Sequence, residues 1–134
     1  MSQAKATHQL QHDGMDEVND KVKTIAERFE VEKIILFGSY AVGHPTTGSD
    51  IDLLVIMDTN RSTWDLAVEI SSSVKHSFPM DILVRTPQEI ARRLKYGDFF
   101  IKDIMEKGKV LYERSMNGLI DFPDKSFNQR RKLI

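Results

Sequence analysis

The stretch KIILFGSYAVGHPTTGSDIDLLVI, residues 33–56, decides the fold of this chain. It opens with a β-branched and aromatic run that stops at Gly38 and Ser39, and it closes with a second apolar run that begins at Ile51. Short apolar runs bounded by glycine and other turn residues are typical of buried strands. The stretch therefore predicts two strands joined by a turn and a loop of small residues.

Two carboxylates stand at the start of the second predicted strand. Side chains alternate along a strand, so Asp50 and Asp52 face the same way while Ile51 faces the opposite layer. Their backbones are about 6.6 Å apart at ~3.3 Å per residue, so the side chains could straddle two metal ions roughly 3.5–4 Å apart. The two acids repel each other unless a cation neutralises them. Carboxylate oxygens favour Mg²⁺ or Mn²⁺ in that role.

The turn that follows the first predicted strand offers a site for phosphate. Gly38 and Ser39 precede a short helical segment, so free backbone N–H groups and a hydroxyl are available for phosphate oxygens. Ser49 is expected to orient Asp50. In the plainer alternative, Gly38 only permits a turn, Ser39 only caps a helix and Asp50 only caps the strand. Neither a P-loop motif nor a dinucleotide-binding motif is present.

In combination, GSYAVG at residues 38–43 and SDIDLLV at residues 49–55 resemble the signature of the minimal nucleotidyltransferases of the DNA polymerase beta superfamily. The resemblance covers about residues 15–113. It implies an α/β fold with a small mixed sheet and flanking helices, and Mg²⁺-dependent transfer of a nucleotidyl group from ATP or another NTP. Two ions are expected.

The resemblance also assigns roles to residues. Asp50 and Asp52 would bind both metals, and Gly38 with Ser39 would bind the departing phosphates. Ser49 would belong to the same nucleotide-binding residues. Asp81, at the start of the apolar run MDILV at residues 80–84, would supply the third carboxylate. Members of the family frequently carry Arg where this chain has Val42, as in GSxARG, and Arg85 is a candidate to replace that charge.

Small stand-alone proteins of this type resemble the antitoxins of MNT/HEPN toxin–antitoxin pairs. That resemblance implies transfer of AMP from ATP to a protein hydroxyl, with a HEPN ribonuclease toxin as the partner. Two alternatives remain open. One is a non-catalytic binding module that neutralises its partner sterically, for which Val42 is the best evidence. The other is an enzyme that modifies a small molecule.

Length and composition narrow the class of protein. The chain has 134 residues, of which 40% are hydrophobic and 29% charged, as expected for a single globular domain. Its net charge of -1 lacks the basic footprint of nucleic-acid-binding proteins, so no direct DNA binding is expected. The absence of cysteine excludes thiolate metal sites and favours the cytoplasm. No apolar run approaches the ~18 residues of a membrane span.

The remaining sequence predicts supporting elements. Helices are expected over residues 15–30, after Ser62, after Thr86 and after Asp98, and a short edge strand is expected over residues 109–113. The apolar stripe of the last helix is expected to be core, with an interaction surface as the alternative; it consists of Phe100, Ile101, Ile104 and Met105. The predicted organisation is a flexible arm at residues 1–14, the nucleotidyltransferase domain at residues 15–113 and a basic tail at residues 114–134.

Overall fold

The computed structural model describes residues 2–43, 50–74, 78–115 and 120–121, with the side chains of residues 15–43, 50–74 and 78–115. The helices and strands follow one another in the order that the sequence predicts, with one further strand at the end. They are α1 (Ser2–Arg28), β1 (Lys33–Phe37), β2 (Ile51–Ile56), α2 (Thr63–Ser73), β3 (Met80–Arg85), α3 (Pro87–Lys95), α4 (Phe99–Lys107), β4 (Lys109–Arg114) and β5 (Ile120–Asp121).

The strands form one five-stranded sheet in the order β3-β2-β1-β4-β5. β1 runs antiparallel to both β2 and β4, whereas β2 and β3 are parallel and are joined through α2. The sheet is therefore mixed, as the resemblance implied. The direction of β2 relative to β1, which the length of the connection left open, is antiparallel.

Helices cover both faces of the sheet, and the alternation along β2 divides its side chains between two cores. Leu53 and Val55 lie in the larger core, which includes residues of α1 and α2. Leu54 and Ile56 lie in the smaller core with residues of α3 and α4. Because Asp52 shares the alternation of Leu54 and Ile56, it faces the α3 and α4 side.

The predicted starts of α2, α3 and α4 are confirmed by their caps. The Ser62 hydroxyl accepts a hydrogen bond from the Asp65 backbone N–H, and the Asp98 carboxylate accepts one from Ile101. At α3, Thr86 and Glu89 form a reciprocal capping box, with proline at the start of the helix. Such caps satisfy backbone N–H groups that have no partner within the helix.

The structure differs from the expected organisation at both ends of the chain. α1 begins at Ser2, so the segment expected to be a loose arm continues the helix; its Gln, Ala and Lys residues favour helix, and elongation of an anchored helix adds one hydrogen bond per residue. β4 was expected at the sheet edge, but β5 pairs beyond it. Within the predicted tail, Arg114 thus ends β4 and residues 120–121 join the sheet.

The expectation that the apolar stripe of α4 lies in the core is confirmed for three of its four residues. Ile101 and Ile104 are buried and Met105 packs against the smaller core, but Phe100 is 55% exposed. Helical spacing identifies one side of a helix but does not say how far neighbouring elements cover it. Among the helices that the structure describes, none combines the length and apolarity that crossing a bilayer requires.

Candidate active site

Asp52 and Asp81 are the centre of the candidate site. They are register partners in the parallel pairing of β2 and β3, while Phe37 of β1 is the partner of Asp52 on its other side. Residues in register on neighbouring strands point to the same face of a sheet. The topology therefore brings together two acids that are 29 residues apart in sequence. Asp50 immediately precedes β2 on the same side as Asp52.

The three carboxylates interact electrostatically. Burial raises the pKa of Asp52 above its ordinary value, and the charges of Asp81 and then Asp50 raise it further. A hydrogen bond between the Asp52 and Asp81 side chains acts in the same direction. Because like charges at close range disfavour full ionisation, the cluster is stabilised by a proton or by a cation that neutralises it.

Gly38 lies directly against the Asp52 carboxylate. It follows Phe37, the register partner of Asp52, and its φ of 80° belongs to the left-handed region that favours glycine. A Cβ at this position would overlap Asp52 Oδ2. Two independent features of the site, backbone conformation and close approach, thus require glycine here.

The turn after β1 is closed by its own backbone. The N–H groups of Ala41 and Val42 both donate to the Gly38 carbonyl, at 3.0 and 3.3 Å. This confirms the predicted short helical turn. Ser39 lies within it and is partly buried.

A cavity of about 460 Å³ opens beside this turn and contains Asp52 in its wall. We call it the Gly38 cavity. One wall comes from the β1 turn and β2, and the other comes from α4. Its lining residues are Phe37, Gly38, Ala41, Val42, Asp52, Phe100, Asp103, Ile104, Lys107 and Gly108.

The α4 wall is held against β1 by aromatic and backbone contacts. The rings of Phe37 and Phe100 pack edge to face, with centroids 5.7 Å apart and planes at 86°. The four α4 residues in the wall, Phe100, Asp103, Ile104 and Lys107, are spaced three and four apart and therefore lie along one side of the helix.

A second concavity of about 400 Å³ lies between α2 and the edge strand β3, and Asp81 is in its wall. We call it the β3 groove. Trp64, which is 77% exposed, and Val68 line it from α2, and Arg85 lines it from β3. The paired carboxylates Asp52 and Asp81 therefore line different concavities on adjacent strands.

Comparison with known protein families matches the family described as "Polymerase beta, Nucleotidyltransferase" over residues 20–117. The chain belongs to this family. A proposed protein adenylyltransferase of Methanocaldococcus jannaschii is 31% identical to it over 87 residues, which cover 63% of this chain and 82% of that protein.

Comparison with solved structures agrees with the polymerase beta nucleotidyltransferase fold. A crystal structure of a proposed nucleotidyltransferase from Sulfolobus solfataricus superposes with a TM-score of 0.58 at 20% identity, covering 79% of this chain and 86% of that chain. The toxin–antitoxin structure MntA–HpeT aligns with a TM-score of 0.47 at 22% identity, over 75% of each chain. That second match is too loose to bear on a partner.

Polymerase beta-type nucleotidyltransferases generally use divalent metals, and the carboxylates of this chain suit such ions in chemistry and in charge. Burial, and then the charges of Asp81 and Asp50, raise the pKa of Asp52, and a cation beside this carboxylate would offset both effects. Within the described residues, however, no three acidic or imidazole side chains are already placed to hold one ion. Asp50 and Asp81 are exposed, so their side chains can turn toward an ion without disturbing the core.

For the nucleotidyltransferase site predicted from sequence, the structure brings Asp52, Asp81 and Gly38 together and places Asp50 within electrostatic range. Ser39 is in the turn, and Ser49 lies outside the described residues. Arg85, the candidate to replace the charge absent at Val42, lines the β3 groove and donates to the Val84 carbonyl at 2.8 Å.

Sequence reasoning did not propose the α4 residues that line the Gly38 cavity as part of the candidate site. Phe100, Asp103 and Lys107 approach the β1 turn only through tertiary packing. The spacing of the three residues along one side of a helix was visible in the sequence, but nothing local indicated which element that side would face.

Proposed function

We propose that this chain is an Mg²⁺-dependent nucleotidyltransferase that moves AMP from ATP to a protein hydroxyl. The observation that carries the proposal is the register pairing of Asp52 with Asp81, directly beside a glycine turn that approaches Asp52. Paired carboxylates beside a glycine turn suit a reaction in which charge neutralisation and positioning supply most of the rate.

In the proposed reaction, the acceptor hydroxyl oxygen forms a bond to the α-phosphorus of ATP. The bond from that phosphorus to the oxygen bridging to the β-phosphate breaks, and pyrophosphate leaves. The hydroxyl proton passes to the Asp81 carboxylate, which is exposed in the β3 groove. Bound Mg²⁺ would be held by Asp50, Asp52 and Asp81, and it would neutralise the phosphates and acidify the hydroxyl.

The two concavities suggest where each substrate binds. ATP occupies the Gly38 cavity, where Gly38 and Ser39 offer backbone and hydroxyl donors to the β- and γ-phosphates. Ser49 contributes to the same nucleotide site. The acceptor approaches from the β3 groove, on the Asp81 side.

A protein is the acceptor that two observations favour. The relative from M. jannaschii, which this chain covers for 82% of its length, is itself a proposed protein adenylyltransferase. In addition, Tyr96 and Phe99 are 77% and 81% exposed at the corner between α3 and α4, next to Phe100 of the Gly38 cavity. Large exposed aromatic side chains are enriched at protein interfaces.

Within this proposal, the acceptor is a HEPN-type ribonuclease toxin and the chain is its cytoplasmic antitoxin. The motif resemblance of residues 38–43 and 49–55 supports this assignment. The nucleotidyltransferase domain is expected to span residues 15–113, and the basic tail at residues 114–134 is a candidate for contacts with the partner.

A second function is favoured by one observation. Val42, in the turn next to the phosphate site, is 54% exposed and carries no charge where members of the family frequently have Arg. A non-catalytic module that covers the active surface of its partner requires this fold, but it does not require a cation that binds phosphate.

Transfer of label from α-labelled ATP separates the two functions. The protein is incubated with Mg²⁺ and lysate of its source, alongside the Asp50→Asn/Asp52→Asn double variant and an Asp58→Asn control. Asp58 is exposed just beyond the far end of β2, so its variant keeps the fold and loses a carboxylate away from the site. The proposal expects label in one protein band with wild type and Asp58→Asn but not with the double variant. Absence of metal-dependent transfer to any species would favour the binding module.

A further inference from the structure

The Gly38 cavity contains one basic side chain among its described lining residues, and that side chain is Lys107 of α4. The opposite wall, formed by Gly38, Ala41 and Val42, offers backbone and apolar groups without a cation. A bound nucleoside triphosphate would bring several negative charges close to Asp52. Apart from a bound metal ion, Lys107 of α4 is the one positively charged group among the described lining residues that can balance those charges.

Lys107 is fixed in position by the end of its helix. Gly108 caps α4 with its N–H donating to the Ile104 carbonyl at 2.8 Å. A Cβ on Gly108 would overlap Ile35 Cγ2 and lie 3.0 Å from the Leu36 carbonyl oxygen, so the end of α4 rests directly on β1. Leu36 is two residues before Gly38, so the end of α4 places Lys107 in the cavity wall beside the β1 turn.

The ammonium group now pairs with Asp103 one turn earlier on α4. Lys107 Nζ lies 3.2 Å from Asp103 Oδ1, and the two side chains are 68% and 61% exposed. An exposed pair of this kind is weak because water screens it. The ammonium can therefore leave Asp103 for a phosphate oxygen at little cost, and a phosphate is a strong partner for a lysine.

We propose that Lys107 binds the β- and γ-phosphates of the triphosphate in the Gly38 cavity, and that Asp103 holds the ammonium at the rim until the nucleotide arrives. The inference rests on the proposed nucleotidyl transfer and adds a binding residue to that site. It also reassigns the compensating cation from Arg85, which lies in the β3 groove, to α4.

The first test measures equilibrium affinity for Mg·ATP and for AMP with wild type, Lys107→Ala and Lys107→Arg. Loss of one charge-assisted contact should weaken ATP binding about tenfold, whereas AMP binding should not change because AMP has no β- or γ-phosphate. Lys107→Arg should restore most of the ATP affinity. Lys102→Ala is the matched control, since Lys102 is exposed on α4 but does not line the cavity.

A second variant, Asp103→Asn, should change ATP affinity in the opposite direction. Asp103→Asn removes a negative charge from the cavity wall and frees the ammonium, so ATP should bind a few times more tightly than to wild type. If the pair were merely structural, Lys107→Ala and Asp103→Asn would alter thermal stability alike and leave ATP affinity unchanged.

The outcomes separate this inference from the function on which it rests. Unchanged ATP affinity in Lys107→Ala, in a wild type that transfers AMP, would overturn the role of Lys107 and leave the proposed function standing. A wild type that binds no triphosphate in the presence of Mg²⁺ would overturn both. Weakened binding of ATP and AMP to the same degree would also contradict the inference, because it would indicate a disturbed cavity rather than a lost phosphate contact.

Discussion

Asp52 of β2 and Asp81 of β3 are register partners in the parallel part of an otherwise antiparallel sheet. Each lines a different concavity: Asp52 is in the wall of the Gly38 cavity and Asp81 is in the wall of the β3 groove. A reaction that joins a nucleotide to an acceptor needs both substrates to meet at shared carboxylates. The pairing of these two strands provides that meeting point.

The first prediction concerns pH and the repulsion within the cluster. The pKa of Asp52 is raised in the folded state, chiefly by burial and then by Asp81 and Asp50, so the native protein holds a proton more tightly than the unfolded chain. Without metal, the Asp52 carboxyl therefore stabilises the folded protein most at and below its ordinary pKa of 3.8. This stabilisation is lost as pH rises through the raised pKa of the folded state. Asp52→Asn should consequently raise Tm at pH 7 by about 2–4 °C and much less near pH 4.

Thermal melts of wild type and Asp52→Asn at several pH values, with and without Mg²⁺, check this prediction. Added Mg²⁺ should raise the Tm of wild type at pH 7 and have little effect on Asp52→Asn. An Asp52→Asn variant that is less stable than wild type at pH 7 without metal would contradict the inference that ionised Asp52 destabilises the fold.

The second prediction concerns the close approach of Gly38 to Asp52. Gly38 and Gly43 both have φ of 80°, but a Cβ at Gly38 would meet the Asp52 carboxylate, while at Gly43 no atom of the described residues lies within 4 Å of the Cβ position. Both alanine variants should lose about 1–2 kcal/mol from backbone strain. Gly38→Ala should in addition displace Asp52 and reduce transfer at least ~100-fold.

This prediction is checked by measuring the rates of AMP transfer by Gly38→Ala and Gly43→Ala at a temperature where both variants are folded. Equal loss of activity in the two variants would show that strain in the turn, rather than contact with Asp52, is what matters.

The third prediction concerns the packing of α4 on β1. Because a Cβ on Gly108 would overlap Ile35 and crowd the Leu36 carbonyl, Gly108→Ala should destabilise the protein by about 1–3 kcal/mol. Gly108 has an extended backbone with φ of -69° and ψ of 160°, so conformational strain does not contribute. Denaturant unfolding checks the value, and a change below ~0.5 kcal/mol would mean that α4 can shift away from β1 freely.

The fourth prediction concerns the start of α4. The pKa of Asp98 is lowered, first by its hydrogen bond from the Ile101 N–H and then by Arg93, whose Nη1 lies 3.0 Å away. A lowered folded pKa means that Asp98 stabilises the protein above the ordinary pKa of the carboxyl group, and that this stability is lost as pH falls through the folded value.

Asp98→Ala should therefore lower Tm at pH 7, and the difference from wild type should shrink on acidification. Asp98→Asn should keep most of the cap at both pH values, because its amide oxygen accepts the same hydrogen bond. A deficit of Asp98→Ala that stays constant down to pH 2 would contradict the assignment of the lowered pKa to the ionised cap.

The sequence predicted those parts of the fold that depend on local signals. The apolar runs bounded by Gly38 and Asp50 predicted β1 and β2, and the caps at Ser62, Thr86 and Asp98 predicted three helix starts. The nearness of Asp81 to Asp52 came from the family resemblance. Pattern alone does not set which strands are neighbours.

Other features depend on tertiary packing and could not be read from local sequence. The connection between β1 and β2 is long enough for either direction, so their antiparallel pairing was open. The same apolar spacing places Ile101 in the core and leaves Phe100 on the cavity wall. Lys107 had no local mark of function, because its role depends on the close contact between Gly108 and β1.

The most direct test of the central claim compares ATP labelled at the α-phosphate with ATP labelled at the γ-phosphate, using the full chain, its acceptor protein and Mg²⁺. Nucleotidyl transfer places the α-label in the acceptor and releases the γ-label in pyrophosphate. Asp81→Asn should abolish the transfer, and Asp58→Asn should not. Entry of γ-label into the acceptor, or undiminished transfer by Asp81→Asn, would contradict nucleotidyl transfer at the Asp52 and Asp81 pair.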